Sequence, residues 1–274
     1  VNRRGALVGA LSSLALAACG DRTGGKVDPR AYRAFFLWPG VTAPPWLKQA
    51  REVYVLAGEV RHRPGSPFVP LRAVPHVTGP ALWLVVRIER LDWSEAIYRE
   101  ILRMLALWEG SGNRVTGLQV DFDAATRGLG RYAQFLADLR RRLPARWKLS
   151  ITGLMDWSAG GDPQALARLA GNIDELVVQT YQGRRTIPGY ETYLAGLRRL
   201  GMPYKVGLVE DGDWREPAGL TSDPEFRGYV VFLLTQKIAV VPGLTGDRRQ
   251  GLKGLQLSQP SLGRRLSARP RDGR

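Results

Sequence analysis

Residues 115–123 read Val-Thr-Gly-Leu-Gln-Val-Asp-Phe-Asp, an apolar stretch ending in two carboxylates one residue apart. In an extended strand successive side chains alternate faces, so Gln119, Asp121 and Asp123 share one face while Leu118, Val120 and Phe122 share the other. Three chemistries are open to such a face. Paired carboxylates can serve as a general acid and its partner. With Gln119 they offer hard oxygen ligands to a divalent cation. They can also pair with Arg87 or another arginine as a structural network.

An acidic strand end does chemistry only if other strands bring their ends to the same place, and the chain supplies such strands. Short apolar runs lie at residues 34–38, 53–60, 81–89, 115–123, 149–157, 175–182, 204–210 and 229–235. Between several of them the apolar residues recur at helical spacing. Asp92 is placed to cap a helix carrying Ile97, Ile101, Leu102 and Leu105 up to Gly110. A second helix carries Tyr132, Phe135, Leu136, Leu139 and Leu143 and stops at Pro144. Residues 163–169 and 190–200 make two more, the last closed by Gly201.

Strands alternating with helices predict a parallel sheet, and eight repeats in about 200 residues predict a compact (β/α)8 TIM-type barrel with an incomplete helical layer. The gaps in that layer fall after the second and seventh strands. Residues 61–80 hold five prolines and read as a loop. A doubly wound open sheet is the rival fold, and the absence of a glycine-rich phosphate loop after the first strand argues against it.

Barrel enzymes work at the C-terminal ends of their strands. Strand parity points Trp38, Glu59, Arg87, Glu89, Asp121, Asp123, Thr152, Asp156, Gln179 and Tyr181 inward there. Acidic groups thus recur at one end of several strands, although close like charges raise one another's pKa. Trp38, Trp157 and Tyr181 could stack on an apolar ligand face or simply fill core. His62 and His76, the only histidines, sit in the proline-rich loop without metal-ligand spacing. No Ser-His-Asp or Cys-His constellation is evident, so neither cofactor nor metal is expected.

The chain is strongly basic, with net charge +15 and a pI near 10.6. The excess is uneven: the first 18 residues carry +2 and residues 237–274 carry +7, which leaves +6 for the remainder. That distribution argues against a nucleic-acid-binding barrel and for weak attraction to anionic polymers. Residues 237–274, rich in Arg, Gly and Pro, read as a disordered basic tail.

The N-terminal residues 1–18 combine Arg3 and Arg4 with a short apolar run, the form of a signal peptide. Leu16-Ala17-Ala18-Cys19 resembles the bacterial lipobox, in which the cysteine is lipidated and becomes the mature N-terminus. Cys19 is the only cysteine, so no intramolecular disulfide can form. Gly20 in place of an aspartate resembles lipoproteins sent to the outer membrane. The expected organisation is a signal peptide at 1–18, a tether at 19–33, the barrel at 34–236 and the tail at 237–274. The expected partners are a membrane, reached through the lipid, and a ligand at the mouth.

Residues 116–123 are similar to the strand-four signature of family-18 glycosidases, the chitinase-like barrels, written Asp-x-x-Asp-x-Asp-x-Glu with a glycine after the first aspartate. Gly117 matches that glycine. Asp121 matches the third aspartate, which in that family orients the substrate acetamido group, and Asp123 falls on the catalytic glutamate. Thr116 and Gln119 replace the first two aspartates. Tyr181 falls on the tyrosine of that family's Met-x-Tyr-Asp stretch, flanked here by Gln179 and Gln182. The wider string resembles more closely an uncharacterised bacterial barrel family, domain of unknown function 3142. The first resemblance implies glycan binding and hydrolysis, with Asp123 as acid, Asp121 its partner and Tyr181 stabilising the intermediate. Trp38, Glu59, Arg87, Gln119, Asp156 and Gln179 are then the expected substrate-binding residues. A binding or scaffolding barrel is the alternative.

Overall fold

The computed structural model describes residues 24–234. The segments read as a signal peptide (1–18) and a basic tail (237–274), and Cys19, lie outside the described residues. Eight parallel strands follow one another: β1 (Ala34–Leu37), β2 (Glu52–Val60), β3 (Ala81–Ile88), β4 (Arg114–Asp121), β5 (Lys148–Leu154), β6 (Glu175–Gln179), β7 (Tyr204–Val209) and β8 (Phe226–Phe232). Each pairs with its neighbours in sequence, and β1 pairs with both β2 and β8, so the sheet closes into a barrel. Its α-helices are α1 (Glu95–Gly110), α2 (Leu129–Arg142), α3 (Trp157–Gly160), α4 (Pro163–Ala170) and α5 (Tyr190–Leu194). No helix follows β2 or β7. After β2 runs the proline-rich loop, where Val69–Pro70 pairs antiparallel with Gly58 and Glu59. The layer is incomplete where the sequence has no helical period.

One apolar layer lies outside the barrel. Val53, Val55, Leu82, Leu84, Leu118, Val120, Leu149 and Ile151 pack with the buried faces of α1 and α2. The opposite strand faces fill the interior with Ala34, Phe36, Tyr54, Leu56, Trp83, Val85, Val177 and Val230. This division by parity separates a helix-facing surface from a lumen. Gly117 marks a tight point of the wall, since a Cβ there would fall 2.0 Å from the Lys148 carbonyl oxygen.

Three local expectations change. Helix α1 begins at Glu95 with Ser94 at the capping position, not at Asp92. The Asp92 carboxylate instead accepts from buried Arg90 at 2.9 Å. Strands β4 and β5 end at Asp121 and Leu154, short of Asp123 and Trp157. Part of the stretch read as a tether is ordered against the barrel: Gly25–Lys26 pairs with Asp213–Trp214, and Val27 is buried.

The lumen floor is a charged network. Lys205 on β7 places its ammonium 2.5 Å from Glu52 Oε2 and 2.8 Å from Glu175 Oε2. It also donates to the Tyr54 hydroxyl at 2.9 Å. That hydroxyl donates to Glu175 Oε1 at 2.7 Å. Glu175 accepts from Ser150 at 3.1 Å, and the Gln119 amide donates to Ser150 at 2.9 Å. Trp83 Nε1 donates to Glu52 at 3.3 Å and stacks on Tyr54 with centroids 5.6 Å apart. Burial alone would raise the Glu52 pKa, but the Lys205 charge and hydrogen bond, with those of Tyr54 and Trp83, hold it below its ordinary 4.5. Tyr54 is pushed well up, first by burial and then by the charges of Glu175 and Glu52.

Breaking one partner of such a buried set strands the other charges. Lys205→Met is expected to destabilise the protein by about 3–5 kcal/mol in chemical denaturation. The triple change Lys205→Met, Glu52→Gln, Glu175→Gln should recover much of that loss, and a Lys205→Met protein as stable as the native one would contradict this role. Because Glu52 is held low, its contribution is complete above pH 4.5 and is lost as pH falls through the lowered value.

Candidate functional site

At the other end of the barrel the strand tips carry Trp38, Glu59, Arg87, Asp121, Gln179 and, just beyond β6, Tyr181. Asp121 ends β4 and is buried. It accepts from the Thr152 hydroxyl on β5 at 2.8 Å. Burial raises its pKa. The Arg87 guanidinium and the Thr152 hydrogen bond oppose the rise, and the charge of Asp123 adds to it. Arg87 lies beside Asp121 in the sheet register but makes no ion pair within 4 Å among the described residues.

Asp123 lies two residues past Asp121, after the strand has ended, and is exposed. Phe122 between them turns outward and packs on Tyr132 with centroids 5.1 Å apart. Among the described residues Asp123 has no ion pair, so the structure brings it to the mouth without neutralising it. Its charge is felt by both Asp121 and Tyr181.

Tyr181 starts a short hairpin, pairing with Thr186. Its ring lies 5.5 Å from that of Phe232, which is also 5.5 Å from Trp38. Gly207 on β7 lies against it, and a Cβ there would meet the Tyr181 ring at 3.5 Å, an ordinary contact. Burial pushes the Tyr181 hydroxyl strongly up, and the charge of Asp121 adds to this, while Gln179 and Arg87 pull the other way. The mouth therefore pairs an aromatic wall on β1, β8 and the β6 hairpin with a carboxylate wall on β4. Sequence parity did not reveal Phe232 as part of that wall.

Glu59 reaches the mouth through a β-bulge. Tyr54 and Leu56 face the lumen, so strict alternation would turn Glu59 outward. The register shifts between Leu56 and Gly58, which sets Glu59 opposite Arg87. Its carboxylate accepts from Arg61 at 3.2 Å. Gly58 is required there, because a Cβ would fall 2.2 Å from the Phe68 ring.

Other candidates are not part of the mouth. Gln119 faces the lumen below Asp121 and is fully buried, its amide nitrogen donating to Ser150 while its oxygen has no partner among the described residues. Asp156 is exposed at the head of α3. Trp157 is buried in the outer layer and donates to the Ala124 carbonyl at 2.8 Å, so it is no stacking platform. Glu89 accepts from the His62 backbone at 2.6 Å. Among the described residues no group of three or more His, Cys, Asp or Glu is placed to hold a metal ion.

Residues 79–189, spanning β3 to the β6 hairpin, match the family described as a domain of unknown function (DUF3142). Among solved structures the chain is similar to the spore cortex-lytic enzyme SleL of Bacillus cereus, with 19% identity, 65% of this chain and 50% of that one covered, and a TM-score of 0.45. It is also similar to the chitinase domain of the spore coat protein CotE from Clostridium difficile, with 13% identity, 70% and 67% covered, and a TM-score of 0.44. The match spans half the length of SleL. No curated protein matches the chain.

Asp121 offers a test of the site's electrostatics. A carboxylate whose folded pKa is raised contributes stability below its unfolded value and loses it as pH rises through the folded one. Asp121→Asn should therefore equal or exceed the native melting temperature at pH 7, with the advantage shrinking at pH 4. A gain of about 1 kcal/mol corresponds to roughly 2–4 °C at this size. A variant that loses stability equally at both values would show that burial does not govern this carboxylate.

Proposed function

We propose that this chain is a lipid-anchored envelope protein whose barrel binds a glycan at its C-terminal mouth and cleaves it by acid–base chemistry. Asp123 protonates the leaving oxygen as the sugar's own acetamide, oriented by Asp121, attacks the anomeric carbon; Tyr181 stabilises the cyclic intermediate, water opens it and returns a proton to Asp123, and Glu59 and Arg87 support the mouth. The observation that carries this reading is the division between the two carboxylates. Asp121 is buried and hydrogen-bonded, whereas Asp123 stands free two residues later on the same rim. Environments that treat neighbouring carboxyl groups differently are what an acid and its partner need. The aromatic wall of Trp38, Phe232 and Tyr181 supplies faces on which the C–H surfaces of sugar rings can stack.

One observation favours a binding barrel without turnover. Asp123 lies past the end of β4 with no side-chain hydrogen bond among the described residues, and its carboxyl reaches about 1.5 Å less far than a glutamate would. The two readings separate in one assay, using chitin oligosaccharides and peptidoglycan with release of reducing ends as readout. Hydrolysis by the native protein, reduced about 10²-fold or more in Asp123→Asn with binding retained, is expected. Binding without hydrolysis selects the second reading, and no binding of either glycan removes both.

The anchor rests on Leu16-Ala17-Ala18-Cys19. A Cys19→Ser form is expected to leave the membrane fraction for the soluble one. Continued sedimentation with membranes would rule out lipid attachment at this residue.

A further inference from the structure

The loop joining β2 to β3 does more than connect strands. Leu71 donates its backbone N–H to the Ala57 carbonyl at 2.9 Å, and its side chain packs on the lumen cluster beside Trp38 and Phe232. The next residue, Arg72, donates through Nη2 to the Leu37 carbonyl at 3.4 Å, at the top of β1. The loop thus delivers a guanidinium to the aromatic side of the mouth.

That guanidinium is incompletely satisfied. Arg72 Nε is buried and has no hydrogen-bond partner. No carboxylate lies within ion-pair distance of Arg72 among the described residues. Burial pulls its pKa down with no opposing charge nearby. Trp38, next in sequence to the Leu37 whose carbonyl Arg72 holds, carries at Nε1 a second buried donor without an acceptor among the described residues. A half-buried cation and a buried indole N–H on one rim are costly to leave unpaired. Both costs are removed together by a ligand that brings anionic oxygen.

We propose that Arg72 and Trp38 form an acceptor-binding subsite at the β1 side of the mouth, and that the glycan it selects carries a carboxylate. This deepens the function proposed above and rests on it. The guanidinium supplies charge and directed N–H donors to the carboxylate, while the Trp38 indole donates to a second oxygen and its ring stacks on the sugar. Asp121 ends β4 and Asp123 follows it, three strands round the barrel from β1, and neither pairs with Arg72 among the described residues. A neutral sugar at the reacting centre with an acidic sugar beside it fits this distribution of charge.

The test is calorimetric binding of one matched pair of ligands to the full chain. The probes are an oligosaccharide of alternating N-acetylglucosamine and N-acetylmuramic acid, and the same oligosaccharide with its muramic carboxyl groups reduced to alcohols. The native protein should bind the carboxylate form at least tenfold more tightly, and the preference should weaken with added salt. In Arg72→Gln the two should bind within about twofold of each other. If that variant fails to show a native melting transition, Trp38→Phe carries the comparison, and there the preference should fall several-fold. Equal binding of both probes by the native protein overturns this subsite while leaving the proposed glycan function standing. Full preference retained in a folded Arg72→Gln or Trp38→Phe protein overturns it also. Failure of both probes to bind overturns the subsite, and the glycan reading falls with it only where chitin oligosaccharides also fail to bind.

Discussion

The ammonium of Lys205, held between Glu52 and Glu175 at the floor of the barrel, is the interaction on which the rest of the structure depends. Eight parallel strands enclose a lumen only wide enough for side chains, and those side chains must fill it. Filling it with charge succeeds only when every charge finds partners, because an isolated buried ion costs several kcal/mol. Here each does. Lys205 has two carboxylates and a phenol, Glu52 has Trp83, and Glu175 has Tyr54 and Ser150. The network ties β2 to β6 and β7 across the lumen, not merely along a neighbouring pair. It fixes the cross-section of the barrel and closes one end with side chains already committed to one another.

A closed floor leaves chemistry to the mouth, and the contrast between the two ends is physical. Floor carboxylates are spent on a lysine. Rim carboxylates are not: Asp121 has a hydroxyl and a distant guanidinium, and Asp123 has no ion pair among the described residues. Backbone devices build this rim. The bulge before Gly58 redirects Glu59, and the missing side chain at Gly58 admits the Phe68 ring. Each would be a defect in a barrel optimised only for packing, since a bulge breaks the ladder and a glycine forfeits buried area.

The eight strands, the two gaps in the helical layer and the inward facing of Gln119 and Asp121 were legible because period-two alternation is a local signal. The floor network was not. Tyr54 and Glu175 lie 121 residues apart, and Lys205 and Glu52 lie 153 apart, so no window of sequence contains the contact. Each of those charges also sits at the start of a strand, where an exposed residue is the ordinary expectation. Glu59 reached its place by a route that parity does not describe, and the arithmetic agreed with the outcome only because a bulge intervened. Trp157 and Asp92 failed for a related reason. Strand ends and caps depend on competing partners, and the Ala124 carbonyl and the Arg90 guanidinium won.

The incomplete helical layer and the mouth are connected. A helix after β2 would pack its apolar face outside the barrel and leave the rim bare. The proline-rich loop that replaces it is instead pinned at both ends by buried polar side chains. Arg90 donates to the Arg61 and Ser66 carbonyls at 3.1 and 2.7 Å. Asn113 donates to the Pro75 carbonyl at 2.9 Å and accepts from the Val77 backbone at 2.8 Å. Prolines reduce the entropy such a segment loses on ordering, so a few hydrogen bonds suffice to hold it. The middle of the loop is held on β2, where Val69–Pro70 pairs with Gly58 and Glu59 and the Leu71 N–H donates to the Ala57 carbonyl, and Leu71 packs against the lumen cluster. Arg72 follows by covalent necessity. The barrel thus gains a cation over its mouth because it lacks a helix at its side.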